Sequence, residues 1–164
     1  MRIIGIDPGT GILGFGVIDV DNSSKGTTLR YKLVDAGVIR TPVKEDETVR
    51  LQTIFEELCT VIAETKPAEM AVEKLFFAQN ITTAMSVAQA RGVAIVAGTQ
   101  AGLKVSEYTP LQIKQALTGY GRADKKQMQE MARVLLGLKD IPKPDDCADA
   151  LATAITHSMS IKVD

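Results

Sequence analysis

The fold is decided by the stretch from Arg2 to Val20, whose sequence is RIIGIDPGTGILGFGVIDV. Its opening apolar run predicts a short buried strand, and the Asp-Pro-Gly sequence that follows ends this strand at Asp7. Residues 12–20 alternate in character and predict a second strand. Gly14 and Gly16 fall on one face of that strand, so we expect another element to pack closely there.

Residues 27–40 predict a third strand, which follows a turn-rich segment and completes an antiparallel meander. The apolar side chains expected on one face of this strand are Leu29, Tyr31, Leu33 and Ile39. Helices and strands alternate after the meander. The predicted elements there are a helix over 46–65, a strand over 69–73, a helix over 80–97, a strand over 103–108 and three helices that begin near Thr109, Asp124 and Asp145.

The order of these elements, β-β-β-α-β-α-β-α-α-α, predicts the α/β class. A three-stranded meander continued by strand–helix units gives a mixed five-stranded sheet with helices on both faces, which is the architecture of ribonuclease-H-like folds. The chain has 164 residues, a length typical of one domain, so we expect residues 1–164 to form a single domain.

Composition excludes few classes of function, since 45% apolar and 24% charged residues are ordinary for a globular protein. The sequence has no apolar run of membrane-spanning length and no signal-peptide pattern, so we expect a cytoplasmic protein without a membrane partner. Cys59 and Cys147 match no metal-binding spacing and are expected to be reduced thiols. The net charge of −1 neither indicates nor excludes a nucleic-acid binder, because a local basic rim can persist in a neutral chain.

Acidic residues end two of the predicted strands. Asp7 closes the first strand directly before Pro8-Gly9, and Glu73 closes the fourth. Open α/β sheets usually bind ligands at the carboxyl ends of their strands, where both acids are expected to lie. Each acid alone has a simpler interpretation, as a turn-forming aspartate or a solvated glutamate.

A second pair of acids lies in the last predicted helix. Asp146 and Asp149 are three residues apart and share one helix surface, and the alanine-rich sequence around them predicts that this surface faces the sheet. Asp145 and Asp149 are four residues apart, so spacing alone does not exclude Asp145 as the partner. Because Pro144 disfavours helical backbone at the residue before it, the helix should begin just after Pro144 with Asp145 as its N-cap.

Four converging carboxylates would repel one another strongly. Two unit charges 4 Å apart cost on the order of 4 kcal/mol at an effective dielectric near 20, so such a cluster requires a cation. Mg²⁺ accepts carboxylate oxygens, and two ions about 4 Å apart can activate water and stabilise the leaving oxygen of a phosphodiester. We therefore expect a metal-dependent nuclease with two Mg²⁺ per subunit, for which Mn²⁺ can substitute. The expected metal-binding catalytic residues are Asp7, Glu73, Asp146 and Asp149.

Four blocks of sequence carry a resemblance to a known family. They are GIDPGT at 5–10, AVEKLF at 71–76, AQARGVA at 88–94 and DCADALA at 146–152. In these blocks the chain resembles the RuvC family of crossover-junction endodeoxyribonucleases, the Holliday-junction resolvases, over nearly its whole length. The resemblance implies one RuvC-like nuclease domain with the same four acids at its metal site, and its Asp-x-x-Asp-Ala-Leu motif selects Asp146 over Asp145.

The resemblance also implies partners. Members of this family act as homodimers that nick two strands of like polarity symmetrically across a four-way DNA junction, during homologous recombination and DNA repair. They work with a branch-migration complex of RuvA and RuvB type proteins. The helix over 80–97 is expected to pack on the sheet with one face and to contribute to a dimer with another, around Ile81, Met85 and Ala88.

DNA-binding residues are expected close to the acids. Lys114 and Lys125 match lysines that the family uses at DNA, and Arg122, Lys125 and Lys126 form a local basic patch, although solvated charges are also common at helix starts. Phe76 matches the family motif in the segment after the fourth strand. It is expected to stack on junction bases or wedge them apart, and its alternative interpretation is a core aromatic.

Three other functions fit part of the pattern. The segment Gly9–Gly14 matches the dinucleotide fingerprint G-x-G-x-x-G, but a strand continues where that fingerprint requires a helix. Actin-like and sugar-kinase ATPases also begin with Asp-x-Gly-Thr, but they close two lobes around ATP and need a longer chain. A junction-binding module without catalysis is disfavoured by the presence of all four acids. The only histidine, His157, lies about 12 Å beyond Asp149 along the helix, so we expect it at the surface and outside the metal site.

Overall fold

A computed structural model describes residues 1–21, 29–75 and 81–161. The elements in these ranges are β1 (Arg2–Asp7), β2 (Ile12–Asp21), β3 (Arg30–Arg40), α1 (Glu47–Thr65), β4 (Glu69–Glu73), α2 (Ile81–Gln100), β5 (Lys104–Tyr108), α3 (Pro110–Thr118), α4 (Lys125–Leu135) and α5 (Asp145–Ser160). Their order is the predicted one. None of the helices in the described ranges is both long enough and apolar enough to cross a membrane.

The sheet is mixed and has the strand order β3-β2-β1-β4-β5. β2 pairs antiparallel with both β1 and β3, whereas β4 lies parallel to β1 and β5 lies parallel to β4. The carboxyl ends of β1, β4 and β5 therefore meet at one edge of the sheet. The predicted α/β class, with a mixed five-stranded sheet and helices on both faces, is confirmed.

Each face of the sheet carries its own apolar core, because successive side chains of a strand point to opposite faces. Ile4 and Ile6 of β1 belong to the core beneath α1 and α2. Ile3 belongs to the core beneath α3, α4 and α5, together with Leu151 and Ile155 of α5. Complete burial of one such aliphatic side chain stabilises the fold by about 1.5–3 kcal/mol, so the two cores fix the positions of both helical layers.

Helix α5 lies directly on the sheet because glycines face it. A Cβ atom at Gly5 would lie only 2.1 Å from the carbonyl oxygen of Ala150, and one at Gly14 only 2.2 Å from that of Asp146. Gly16 has similarly close neighbours in α5. The close packing expected above Gly14 and Gly16 is thus provided by α5, which holds the acids of this helix next to the end of β1.

The prediction that β3 presents its apolar residues on one face is wrong. The pairing of β2 with β3 shifts between Val17 and Ile18, so that β3 carries one extra residue. Tyr31 and Leu33 pack on the α5 side of the sheet, whereas Ile39, beyond the shift, packs on the side of α1 and α2. One extra residue moves every later side chain to the opposite face, which counting in twos along the sequence does not detect.

Helix starts follow local chemistry in two of the last three helices. Capping boxes at Thr109–Gln112 and Asp124–Gln127 begin α3 and α4 as predicted. The predicted N-cap of α5 is wrong: Pro144 occupies that position with an extended backbone, and Asp145 is the first helical residue. The Asp145 carboxylate lies 3.4 Å from the ammonium group of Lys125 instead.

Candidate active site

Asp7 and Glu73 are the last residues of β1 and β4, which are adjacent and parallel. Ile6 and Val72, one residue earlier, contribute to the core beneath α1 and α2, so alternation directs both acids toward the α5 face. Asp149 of α5 meets them there. Asp7, Glu73 and Asp149 line one cavity of about 250 Å³, the first cavity.

The turn that follows Asp7 is anchored to the rest of the fold. The Ser86 hydroxyl of α2 lies 2.8 Å from the Thr10 hydroxyl and 2.7 Å from a carboxylate oxygen of Glu47. The Thr41 hydroxyl donates a hydrogen bond to the carbonyl oxygen of Thr10. These contacts from α1, α2 and the end of β3 restrict the turn, and they therefore help to hold Asp7 at the sheet edge.

Burial and mutual repulsion disfavour ionisation of the clustered acids. Burial, followed by the charges of Glu73, Asp149 and Asp146, raises the pKa of Asp7 to about 8 in total, against an opposing effect of Lys125. Burial and the Asp149 charge raise the pKa of Glu73 to about 7. Burial also raises the pKa of Asp149, although its hydrogen bond with Lys125 acts in the opposite direction. A cation bound among these acids would therefore favour their ionised forms and offset the repulsion between them.

Asp146 lies beside the first cavity rather than in its wall. The Cβ atom of Asp146 lies 3.0 Å from the position that a Cβ atom on Gly14 would occupy. Gly14 is the residue of β2 that pairs with Asp7 of β1. The charge of Asp146 raises the pKa of Asp7, whereas Asp145 is exposed and pairs with Lys125. This placement favours Asp146 over Asp145 as the fourth acid of the site.

Two of the predicted DNA-binding residues lie at the acids. Lys114 of α3 and Lys125 of α4 line the first cavity, and the ammonium group of Lys125 is 3.1 Å from Asp149. Arg122 is exposed in the connection between α3 and α4 and does not line this cavity. Phe76 lies outside the described residues, so its predicted role stays a prediction.

The donor set suits a divalent metal ion in charge and in chemical type. Carboxylate oxygens are the ligands that hard divalent cations prefer, and positive charge would lower the raised pKa values of Asp7 and Glu73. Among residues 1–21, 29–75 and 81–161, however, no three acidic, histidine or cysteine side chains already stand in metal-binding geometry. Asp149 is paired with Lys125 instead, so ion binding requires this carboxylate to exchange partners.

The prediction that His157 lies at the surface is wrong, because only 2% of it is exposed. Its Nδ1 atom lies 2.8 Å from the Tyr108 hydroxyl, and its Nε2 atom lies 2.7 Å from a carboxylate oxygen of Glu69. α5 rests on the sheet along its length, and this contact buries a residue that sequence position alone suggested was terminal. The imidazole packs among these partners rather than with the clustered acids.

Sequence reasoning missed two cations near the acids. A second cavity of about 230 Å³ shares Asp7 and Glu73 with the first and is also lined by Lys74 and Arg91. Lys74 could have been noticed because it directly follows Glu73. Arg91 lies within a family-like block, but no local spacing connects it with an acid, and only the packing of α2 brings it to the sheet edge.

An acidic cluster at the carboxyl edge of a mixed five-stranded sheet, with lysines around it, defines a ribonuclease-H-like protein with the features of a nuclease. The family model described as crossover junction endodeoxyribonuclease RuvC matches residues 3–157. The chain belongs to the RuvC family of crossover junction endodeoxyribonucleases.

Individual relatives agree with this assignment over nearly the full chain. The crossover junction endodeoxyribonuclease RuvC of Heliobacterium modesticaldum is 52% identical over 162 residues, which cover 98% of this chain and 96% of the relative. The solved structure of Thermus thermophilus RuvC superposes with a TM-score of 0.88 at 40% identity, covering 97% of this chain and 94% of that one. The same T. thermophilus protein in complex with Holliday junction substrate gives a TM-score of 0.85 at 36% identity, with the same coverage.

Proposed function

We propose that this protein resolves four-way (Holliday) DNA junctions by paired, symmetric nicks, in homologous recombination and DNA repair. One observation carries the proposal: Asp7, Glu73 and Asp149 line a single cavity together with Lys114 and Lys125. Acids suit a metal ion and lysines suit phosphate, so the cavity combines the two components that phosphodiester hydrolysis requires. The similarity to a RuvC protein solved with junction substrate supports the same choice of DNA.

The residues that would hold the metal are Asp7, Glu73, Asp146 and Asp149. Two bound Mg²⁺ ions, or Mn²⁺ in their place, would supply an activated water and charge stabilisation for the leaving oxygen. Lys125 provides positive charge between Asp149 and Asp145 when DNA is absent. When a strand enters, the ammonium group is available to a phosphate oxygen, because the Lys125 side chain is 57% exposed and its pair with the exposed Asp145 is worth only about 0–1 kcal/mol.

The remaining DNA contacts are assigned by position. Lys114 shares the wall of the first cavity and is expected to contact a phosphate near the cut. Arg122 lies farther out, at an exposed turn, and is expected to contact DNA beyond the scissile phosphate. Phe76 is proposed to stack on or separate bases at the junction centre.

The protein is proposed to act as a cytoplasmic homodimer, because two sites related by a two-fold axis produce two symmetric nicks. An unpaired apolar surface supports this. An apolar cavity of about 510 Å³ lies between α1 and α2 and includes Phe55, Val93 and Val96, and Met85 on α2 is 63% exposed. Ala88 lies on the same helix, and the side chain of Ile81 lies outside the described part of the chain. A branch-migration complex of RuvA and RuvB type proteins is the proposed further partner.

A junction-cleavage assay tests the proposed function. The protein is incubated with a labelled synthetic four-way junction, with and without Mg²⁺, beside a linear duplex of the same sequence. We expect paired nicks on strands of like polarity in the junction, only with Mg²⁺, and little cutting of the duplex. Equal cutting of both DNAs, or cutting that persists in a chelator, would contradict the proposal.

A further inference from the structure

The clustered acids stand between two cavities rather than at the bottom of one. Asp7 and Glu73 line both the first cavity, which holds the lysines of α3 and α4, and the second cavity. The second cavity is lined on its other side by Lys74 and Arg91. The two cavities adjoin at Asp7, Glu73 and Pro110, so carboxylates lie between the cations of one cavity and those of the other, and the pair of cavities is called the groove.

Arg91 is built into the wall of the second cavity. Val87 and Arg91 are four residues apart on α2, so they share one helix surface, and both line this cavity. A terminal nitrogen of Arg91 pairs with a carboxylate oxygen of Glu107 on β5, and only 25% of the Arg91 side chain is exposed. Its Nε atom is buried and has no hydrogen-bond partner among the described residues. A guanidinium has five N–H donors, so one carboxylate leaves several of them available.

Lys74 complements Arg91 at the same cavity. Its backbone N–H donates a 2.7 Å hydrogen bond to the carbonyl oxygen of Tyr108, which fixes the chain just after Glu73, while its side chain is exposed. Lys74 therefore adds a second, solvent-facing cation to the wall that Arg91 forms.

We propose that Arg91 and Lys74 bind a DNA phosphate adjacent to the scissile phosphate, on the side away from Lys125. This inference rests on the proposed function, since it takes the cut strand as the occupant of the groove. A strand laid across the acids places phosphates on both sides of them, and the acids repel each one. Cations on both sides offset that repulsion and fix the strand in register, and the planar fork of an arginine matches phosphate oxygens.

The test removes charge from the protein and from the DNA separately. A series of four-way junctions is prepared, each with one neutral methylphosphonate at a different position around the cut. The dissociation constant of each junction is measured in metal-free buffer for wild type and for Arg91→Gln. We expect Arg91→Gln to weaken binding of the unmodified junction about tenfold, as loss of a charged hydrogen bond implies. It should also reduce the slope of log affinity against log salt by about one.

The decisive result is that the losses of affinity from Arg91→Gln and from the methylphosphonate do not add at one phosphate position. At the phosphate that Arg91 contacts, the methylphosphonate should weaken wild-type binding but have little further effect on Arg91→Gln. Arg133→Gln is the matched control, because Arg133 is also ion-paired on a helix with 28% of its side chain exposed, yet lines neither cavity. It should show additive losses at every position.

Lys74→Gln keeps the inference testable if Arg91→Gln fails to fold, because the Lys74 side chain is exposed. It should lose sensitivity at the same phosphate. The subsite is overturned if the losses of affinity from protein and DNA changes add at every position, for Lys74→Gln and for any folded Arg91 variant. The proposed function stands in that case, provided that wild type still prefers the junction to a duplex. A wild type without that preference would contradict the proposed function as well.

Discussion

Asp7→Asn should stabilise the metal-free protein while it removes nuclease activity. Burial first, and then the like charges around it, raise the pKa of the Asp7 carboxyl group from 3.8 to about 8. Between these two values the folded protein binds more protons at this group than the unfolded chain does. The free energy of unfolding therefore falls as pH rises through this window. Asparagine has nearly the same shape but no charge, so the variant lacks this pH-dependent loss.

The magnitude follows from the size of the pKa shift. Each pKa unit corresponds to about 1.36 kcal/mol, so a rise from 3.8 to about 8 sets an upper limit of about 6 kcal/mol at the alkaline end of the window. This shift already includes the attraction between Asp7 and Lys125, and solvent screens part of the repulsion because Asp7 is not fully buried. We expect a net gain of about 2–3 kcal/mol, which raises the melting temperature of a protein this size by roughly 4–12 °C.

The assay is urea unfolding with a chelator, at about pH 8 and again at about pH 6. Wild type should gain stability at the lower pH, and Asp7→Asn should gain much less. Mg²⁺ should stabilise wild type and leave the variant nearly unchanged, because ion binding needs the charged set. Asp145→Asn is the control, since Asp145 is exposed and its change should stay within about 0.5 kcal/mol. Equal or lower stability of Asp7→Asn at the higher pH would refute the account of repulsion at this site.

Three further outcomes are expected. Asp145→Ala should leave both stability and most of the cleavage activity intact, because Asp145 makes no cap hydrogen bond and its ion pair is exposed. A loss of about 1 kcal/mol in denaturant unfolding would instead show that Asp145 caps the helix. His157→Ala should destabilise the fold by about 2–4 kcal/mol, because it creates a cavity and leaves Tyr108 and Glu69 without their buried partner. An unchanged melting temperature in calorimetry would show that His157 lies at the surface. Lys125→Gln should weaken junction binding and reduce the slope of log affinity against log salt by about one. An unchanged slope would show that Lys125 does not contact a phosphate.

Short-range signals in the sequence were enough to predict much of the fold. Asp-Pro-Gly ends β1 at Asp7, and α3 and α4 begin where they were predicted, near Thr109 and Asp124. The glycines of β2 indicated close packing, which α5 provides. Such features are predictable because each depends on residues within a few positions of one another.

Features that depend on tertiary contacts were not predictable in the same way. The extra residue in β3 reverses the face of Tyr31 relative to Ile39, and no local motif announces it. His157 is buried only because α5 lies flat on the sheet. Arg91 reaches the acids through the position of α2. Pro144 takes the N-cap position of α5, and Asp145 in the first turn pairs with Lys125 of α4.

We propose that Asp7, Glu73, Asp146 and Asp149 act together as one metal-binding catalytic set. The measurement that tests it most directly is the rate of junction nicking as a function of Mg²⁺ concentration, for Asp7→Asn, Glu73→Gln, Asp146→Asn, Asp149→Asn and Asp145→Asn, with junction affinity measured in parallel. We expect the first four variants to lose at least about 100-fold in rate while they still bind the junction, and Asp145→Asn to remain close to wild type. Near wild-type nicking by any of the four, or loss of nicking in Asp145→Asn with retention in Asp146→Asn, would contradict this set of residues.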